Sequence, residues 1–505
     1  MKLSELIQSL PFLEKRHYSD CDITGIAFDS RRVLQGNLFV AIPGTQVDGH
    51  DYVPKALAKG AKALILEKAV ATPSDVPTFR VANSRKALSR LSACWFGHPS
   101  REMRVIGITG TNGKTTICSL LESFFNAQGR KAGRIGTIGF HFGDKEGTLQ
   151  HTTPESLEIQ GLLHEMRAAQ VQYVAMEVSS HAIDLHRADD IHFDQAVFTN
   201  LTPEHLDYHK SMELYFESKK KLFTLLLPEG GGISRSIINA DDPYGQKLLE
   251  LIKDEPVWTY STHSQSKWDL FPKNYHSSLS GLEGKISTPA GDLDFHTRLI
   301  GTFNLSNLLA ATGAAVGREV ELQSIAKALK DFEQVPGRLE RIENKHGLHV
   351  FVDYAHTPDA LKNVLQTLRE LDPPRIITVF GCGGDRDRTK RPIMGREVAR
   401  FSEMAVVTSD NPRTEAPEKI IGEILPGIQE GGMTVGKECQ VEPDRRKAIA
   451  LALNEARSGE VVLIAGKGHE DYQILGTKRI HFDDRETARE LLGASAPDGP
   501  RKGAS

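Results

Sequence analysis

No stretch of this 505-residue chain approaches the ~20 consecutive apolar residues that a membrane span needs, so membrane insertion is not expected. Blocks of like charge are missing too: formal net charge is -4 with both signs dispersed, which argues against a nucleic-acid-binding surface. Cysteine is scarce. The five thiols, Cys21, Cys94, Cys118, Cys382 and Cys439, are odd in number and form no Cys-x-x-Cys pair, which excludes a disulfide frame and a zinc site of that spacing. They read as reduced thiols of a cytoplasmic protein. The first residues, with Lys2 and Glu5 in a short amphipathic run, lack the apolar core of a signal peptide. No internal repeat of solenoid length is present.

What is there suits a soluble protein of several domains. A single core seldom grows beyond ~250–300 residues, so this length implies about three domains. Hydrophobic residues at 39% and charged residues at 25% are enough for full cores and exclude wholesale disorder.

The most informative stretch is Gly107-Ile108-Thr109-Gly110-Thr111-Asn112-Gly113-Lys114-Thr115-Thr116. Val105 and Ile106 read as the end of a buried strand. Ile117, Leu120, Leu121, Phe124 and Phe125 fall at helical spacing, and Gly129 is the expected stop. A strand, a glycine loop and a helix point backbone N–H groups and the positive helix end at an anion. Gly110, Thr111, Asn112, Gly113 and Thr116 would cradle the phosphates, Lys114 would reach the terminal ones, and the Thr115 hydroxyl would hold Mg²⁺. The spacing departs from the common P-loop, whose first glycine stands five residues before the Gly-Lys glycine; Ile108 is there, and Gly107 is one further back.

Three blocks are expected. Residues 1–100 hold short strand-like runs, Asn37–Ile42 and Ala63–Leu66, between Gly- and Asp-containing turns, and predict a small α/β module. Residues 101–334 alternate apolar strands, among them Tyr173–Met176 and Ala196–Thr199, with helices, and predict a mostly parallel sheet. Residues 335–490 begin at Val335-Pro336-Gly337 and repeat the pattern with strands at His349–Val352, Ile376–Phe380, Ala405–Thr408 and Val461–Ile464. The fold class is therefore α/β in three domains, with a central P-loop parallel sheet and a Rossmann-like C-terminal domain. Residues 491–505, small and polar from Ala494 on, are expected to be a flexible tail.

In open parallel sheets ligands sit beyond the carboxyl ends of the strands. Glu177, in Glu177-Val178-Ser179-Ser180-His181, follows one such end and is a candidate Mg²⁺ ligand, since hard cations want oxygen donors. After the next strand, His205, Asp207 and His209 stand at alternate positions and could face a metal or a phosphate; solvated histidines in a polar loop are the other reading. The lysine triplet Lys219-Lys220-Lys221 reads, taken alone, as a solvated helix face.

Taken in order, Gly107-to-Thr116, Met176-Glu177-Val178-Ser179-Ser180-His181, Asn200-Leu201-Thr202-Pro203-Glu204-His205-Leu206-Asp207-Tyr208-His209, Gly337-Arg338 and Asp353-Tyr354-Ala355-His356-Thr357-Pro358 resemble the Mur ligases, ATP-dependent amide-forming enzymes of peptidoglycan synthesis. The resemblance covers about residues 25 to 485. It departs at Glu204, where the family often has Asp, and at Leu185, a position that is Gln in some members, which weakens one expected substrate contact. The resemblance implies that Lys219 is carbamylated and ligates a second Mg²⁺ with Glu177 and His205; a carbamate supplies an anionic oxygen where an ammonium would repel the ion. Lys114, Glu177, His205 and Lys219 then act electrostatically, and no Ser or Cys nucleophile is needed.

The resemblance also implies a uridine-diphosphate-binding module in the first block, with Ser30 and the loop Thr45-Gln46-Val47 as contacts, and a muramoyl dipeptide held by Thr152, Thr153, Ser179 and Arg187. It places Asn304 and Asn307 near the adenine of ATP, and adds Arg338 and Asp353 from the third block. The amine is set by Asp410-Asn411-Pro412-Arg413, which in the family accompanies meso-diaminopimelate; lysine-adding members generally lack the arginine. A planar guanidinium takes the distal carboxylate bidentately, whereas lysine offers an ammonium there. Arg386, Gly466 and Glu470 match other positions gripping this substrate, with Glu470 accepting from the distal ammonium. The implied partners are UDP-N-acetylmuramoyl-L-alanyl-D-glutamate and meso-diaminopimelate, and a monomer is expected. The readings set against this one are a lysine-adding ligase, disfavoured by Arg413; a folylpolyglutamate synthase, disfavoured by the first block and the His205/His209 motif; and a P-loop switch protein, which would leave the metal-site residues idle.

Overall fold

The structure, a computed structural model, describes every residue except 9, 16–17, 45–46, 230–234, 265–266 and 494–505. Thr45 and Gln46, two expected diphosphate contacts, and the tail from 494 on thus lie outside the described residues. The chain forms two compact units: the first comprises Met1–Phe271, Ser287–Asp292 and Ser306–Ala328, the second Pro272–Ile286, Leu293–Leu305 and the chain from Leu329 on.

The first unit contains two sheets. The five-stranded one has the order Glu14–Lys15, Thr78–Arg80, Ala63–Leu66, Leu38–Val40, Ile26–Ala27, parallel except for its first strand. Leu38–Val40 is shorter than the expected run Asn37–Ile42, and the Asn37 side chain closes the preceding turn, its Oδ1 accepting from Leu34 N at 3.0 Å.

The second sheet has eight strands in the order Val257–Tyr260, Arg235–Asn239, Gln195–Phe198, Arg104–Thr109, Tyr173–Glu177, Ala132–Gly136, Gly139–Phe142, Lys145–Gly147. The first six pair in parallel; the last two form an antiparallel hairpin that the sequence reading missed. Its central strands are apolar nearly throughout, as expected of parallel strands covered on both faces. Arg104–Thr109, the earliest strand of this sheet, lies between Gln195–Phe198 and Tyr173–Glu177, so the chain crosses to either side of it. That reversal opens a crevice at its carboxyl end. The helix Lys114–Ala127 follows, burying Ile117, Leu120, Leu121, Phe124 and Phe125, and the chain turns at Gly129 with φ 75°.

The second unit is built on a six-stranded sheet in the order Glu340–Ile342, His349–Asp353, Val461–Ala465, Ile376–Phe380, Met404–Val407, Cys439–Val441, with only Glu340–Ile342 antiparallel. Its core joins these strands to the helices Pro358–Glu370, Lys390–Phe401 and Pro417–Glu430 on one face and Arg445–Glu455 on the other. The α/β class with a central P-loop sheet and a Rossmann-like C-terminal sheet is the architecture observed.

Candidate active site

The glycine loop needs its glycines for reasons of space and of backbone. Gly110 has φ 146° and a Cβ there would sit 1.8 Å from Thr199 Oγ1; Gly113 has φ 90° and its Cβ would sit 2.2 Å from Asn307 Oδ1. A side chain at either position would have to displace a neighbour in a conformation that L residues rarely adopt. Gly113 is also the N-cap of Lys114–Ala127 and supplies no side-chain cap, so the helix's first N–H groups point into the loop uncapped by a side chain. Lys114 Nζ donates to Gly110 O at 2.9 Å and to Thr111 O at 2.7 Å.

A carboxylate meets this loop from the next strand. Glu177 is 1% exposed, and its Oε1 accepts from Thr115 Oγ1 at 2.9 Å. Thr137, at the end of the neighbouring strand, donates its N–H to Oε1 at 2.8 Å and its hydroxyl to Oε2 at 3.0 Å. Gly136 makes room, since a Cβ there would lie 2.3 Å from Oε1. Thr137 was not singled out from sequence; the strand-end rule that selected Glu177 also selects it. Hydrogen bonds to a charged group contribute about 1.5–3 kcal/mol each, so the three donors fix this carboxylate firmly. Thr152 Oγ1 lies 3.0 Å from Thr137 Oγ1, and Thr153 Oγ1 donates to Glu177 O at 2.9 Å while accepting from Ser179 N at 3.1 Å. Thr152, Thr153, Ser179 and Glu177 therefore form one connected patch.

Arg187 joins that patch through Thr153 O, to which its Nη1 donates at 2.9 Å. Its Nη2 lies 2.8 Å from Glu155, which Arg85 also pairs at 3.1 Å. The Arg187 Nε–H is buried with no partner among the described residues. Arg85 and Glu155 carry no motif and could not have been found from sequence.

Lys219 is 1% exposed, whereas Lys220 and Lys221 pair with Glu217 and Asp184 at the surface. The triplet is therefore not a uniformly solvated face. Lys219 Nζ donates to Gly110 O at 2.9 Å and lies 4.6 Å from the centre of the Tyr215 ring. Burial, with Lys114 adding in the same direction, pushes its ammonium well below the ordinary lysine value.

The two histidines of the next loop part company. His205 adopts φ 56° and N-caps the one-turn helix Leu206–His209, leaving its side chain 44% exposed beside Glu204. His209 is buried against Ser180 Oγ at 2.8 Å and stacked on Tyr215, so it does not share a ligand position with His205. Burial lowers both imidazoles, and His181, packed at a right angle to His205 with ring centres 4.8 Å apart, is pushed down to about 4 by burial and by those two neighbours. Among the described residues no three His, Cys, Asp or Glu side chains converge as a metal site.

Of the remaining first-unit expectations, Asn307 is buried against Gly113, Ser30 is buried, and Val47 is 59% exposed.

In the second unit Asn304 is buried, its Nδ2 donating to Ile300 O at 2.9 Å. Asp353 accepts from Leu339 N at 2.7 Å and Ala355 N at 2.8 Å, and burial raises its carboxyl. The Arg338 guanidinium lies over the Tyr354 ring at 4.9 Å. The loops after Met404–Val407 and Val461–Ala465 meet through Asn411: its Nδ2 donates to Glu470 Oε2 at 2.9 Å, and its Oδ1 accepts from Ile474 N at 3.0 Å. Glu470 Oε2 also accepts from Lys467 Nζ at 3.1 Å, a wholly buried ammonium that sequence reasoning passed over. Arg413, at φ 53°, donates from Nη1 to Gly384 O at 2.8 Å and lies 3.5 Å from Asn411 O. A Cβ on Gly466 would touch Asp410 Oδ2 at 2.7 Å, so these two positions adjoin. Pro412 is buried and Arg386 is exposed.

A glycine loop between a central parallel strand and an uncapped helix, with a buried carboxylate on the loop's threonine, is the phosphate-binding arrangement of a P-loop protein. Comparison with known proteins gives the family. Residues 22–95, 108–315 and 337–468 match the profiles described as Mur ligase family, catalytic domain; Mur ligase middle domain; and Mur ligase, glutamate ligase domain. The chain is 47% identical over 494 residues to the UDP-N-acetylmuramoyl-L-alanyl-D-glutamate–2,6-diaminopimelate ligase of Gloeobacter violaceus, covering 97% of this chain and 98% of that one. The ligase of the same name from Geobacter sulfurreducens is 45% identical over 501 residues, with 97% and 98% covered. A solved structure of a ligase of that name superimposes with TM-score 0.67 at 32% identity, covering 93% of this chain and 95% of the other. The chain belongs to the Mur ligase family.

Proposed function

We propose that this chain is the ATP-dependent ligase that joins meso-diaminopimelate to UDP-N-acetylmuramoyl-L-alanyl-D-glutamate, acting as a cytoplasmic monomer in peptidoglycan precursor synthesis. Its relatives at 45–47% identity, matched over nearly their whole length, carry the name of that activity. The observation that carries the choice of amine is the Asn411 bridge, which holds a carboxylate, Glu470, and a guanidinium, Arg413, in one loop cluster. A zwitterionic amino-acid end needs that pair of charges, and a bare ammonium needs only the carboxylate.

The proposed chemistry has two steps. The free carboxylate of the D-glutamyl residue attacks the γ-phosphorus of ATP, the bond to the β,γ-bridging oxygen breaks, and ADP leaves an acyl phosphate behind. The amine nitrogen then attacks the acyl carbon, the tetrahedral intermediate expels phosphate, and the nitrogen loses a proton to give the amide. The uncapped helix N-terminus and the N–H groups around Gly110 to Thr116 hold the phosphates; Lys114 offsets charge on the terminal one. Thr153, Ser179 and Arg187 orient the dipeptide, with the free Nε–H of Arg187 available to an anionic oxygen. In the second unit Asn304, Arg338 and Asp353 serve the nucleotide. Thr115 and Glu177 fit Mg²⁺, because a hydroxyl and a buried carboxylate 2.9 Å apart are hard oxygen donors, and the bound ion would neutralise phosphate oxygens.

Lys219 is the second candidate ligand position, with His205. Its burial lowers the amine well below the ordinary lysine value, which favours the neutral form, the one that reacts with CO₂. The nitrogen lone pair attacks the carbon, one C=O π pair moves to oxygen, and an N–H proton leaves to solvent. The product carries an anionic oxygen where the amine alone carries none.

Purified protein should release phosphate from ATP only when both the UDP-muramoyl dipeptide and meso-diaminopimelate are supplied. Equal or faster turnover with L-lysine would overturn the choice of amine and leave the lysine-adding reading.

A further inference from the structure

The second unit contains a wholly buried ion pair that none of the expected roles uses. Arg445 and Asp484 are both 0% exposed at the side chain, and they meet bidentately: Nε to Oδ1 at 2.7 Å and Nη2 to Oδ2 at 2.7 Å. Arg445 sits on the helix Arg445–Glu455, and Asp484 opens the C-terminal helix Asp484–Leu491. The rest of the guanidinium is spent on two backbone carbonyls, Nη1 on Ser409 O at 3.1 Å and Nη2 on Ala465 O at 3.0 Å. These carbonyls belong to different strand ends, separated in the sheet by Ile376–Phe380. Each is one residue ahead of an amine-side loop, since Ser409 precedes Asp410 and Ala465 precedes Gly466.

The same short helix also reaches the edge strand Glu340–Ile342. Arg489 Nη2 donates to Glu340 Oε1 at 2.7 Å, Arg485 Nη1 lies 3.6 Å from Glu340 Oε2, and that Oε2 accepts from Gly337 N at 2.9 Å. Gly337 carries Arg338 beside it. The two loop systems touch: Gly337 at φ 65° has no room for a Cβ against His469 N at 2.1 Å, and Gly468 at φ 52° has none against Gly337 O at 2.8 Å.

We propose that the C-terminal helix Asp484–Leu491 is a positioning element with two separable arms: Asp484, through Arg445, sets the amine-side loops at 410–413 and 466–470, and Arg489, through Glu340, sets the Arg338 loop that serves the nucleotide. Burial of an ion pair is seldom kept for stability alone, because well-packed apolar residues of similar volume often do as well or better. A guanidinium, unlike them, can hold two carbonyls and a carboxylate in one plane. The inference rests on the functional reading of those loops given above. It does not depend on which amine they bind.

The test separates the arms by KM. Asp484→Asn weakens the first arm, and the double variant Arg445→Met with Asp484→Leu removes it without leaving an unpaired buried charge. Both should raise KM for the amine about tenfold or more, since small misplacements of a binding group cost that much, with KM for ATP and for the UDP-dipeptide held within about twofold. Arg489→Gln should do the reverse, raising KM for ATP and sparing KM for the amine. Amide hydrogen exchange read on the same proteins should quicken at 410–413 and 466–470 in the first set and at 337–339 in Arg489→Gln. Wild-type enzyme assayed first with meso-diaminopimelate and L-lysine shows which amine the KM refers to, so a wrong amine is told apart from a wrong clamp. If a folded double variant keeps wild-type KM for the amine and wild-type exchange in both loops, or if all three KM values rise together in every variant, the two-arm assignment is wrong.

Discussion

Lys114 and Lys219, 105 residues apart in the chain, donate to the same acceptor, the carbonyl oxygen of Gly110, each at 2.9 Å. Two ammonium groups sharing one oxygen in a buried setting repel each other. Burial, with Lys114 acting in the same direction, pushes the Lys219 ammonium well below the ordinary lysine value.

Lys219→Ala should therefore lose most activity while the fold survives, because the truncated side chain carries no charge that another group must balance. Part of the activity should return when a short-chain carboxylate is added in solution, as an oxygen donor for the position the carbamate would fill. Steady-state rates with and without the added carboxylate check this, and unchanged activity in the variant would show that Lys219 has no part in the chemistry.

Arg413 should govern the choice between amines. In Arg413→Ala the ratio of kcat/KM for meso-diaminopimelate over L-lysine should fall by ~100-fold, the size of a charge-assisted hydrogen bond plus relief of like-charge repulsion. Arg413→Lys should recover only part of the ratio, since an ammonium cannot bind a carboxylate bidentately. Competition assays with both amines measure it directly.

Gly113→Ala should damage nucleotide use more than stability. A Cβ there would meet Asn307 Oδ1 at 2.2 Å in a backbone at φ 90°, at a cost of about 1–2 kcal/mol for the left-handed conformation alone. The loop is expected to shift and KM for ATP to rise about tenfold or more, with Tm lowered by only a few degrees.

Acid should destabilise the protein through His469. Burial pushes this imidazole down to about 3, with the positive charges of Arg338 and Arg485 in the same direction. Its folded value lies below the unfolded one near 6.5, so the stability it contributes is full above about pH 6.5 and is lost as pH falls toward 3. The loss is about 1.4 kcal/mol for each pH unit in that window. Urea unfolding at several pH values should show this slope, and His469→Gln should flatten it by about one proton.

The P-loop, Glu177 and the strand cores were legible because each depends on residues close together in sequence. A glycine pattern sets its own backbone, and a continuous apolar run can only be a buried strand or helix. The lysine triplet was not legible from its own residues. Lys219, Lys220 and Lys221 are chemically identical, and only the packing of Tyr215 and the Gly110 carbonyl over one of them removes it from water. His205 and His209 stand in one motif and read alike in sequence, and only the folded chain separates them: His209 is buried against Ser180 and Tyr215 while the His205 side chain is 44% exposed. Thr137 and Lys467 were missed although the strand-end rule reaches both; Arg85 and Glu155 stand in no motif at all.

By itself the sequence determined that this is a three-part α/β protein with a phosphate loop at a central strand, and through its ordered motifs it determined the family. Local propensity, glycine placement and hydrophobic period act over a few residues, so they can be read along the chain. Only the tertiary structure decided which carboxylate received the Thr115 hydroxyl, which lysine was taken out of water, and that Arg445 and Asp484 stand behind the amine-side loops. Those outcomes depend on burial and on contacts between distant segments, and desolvation, the largest influence on a buried charge, has no value until the chain has folded.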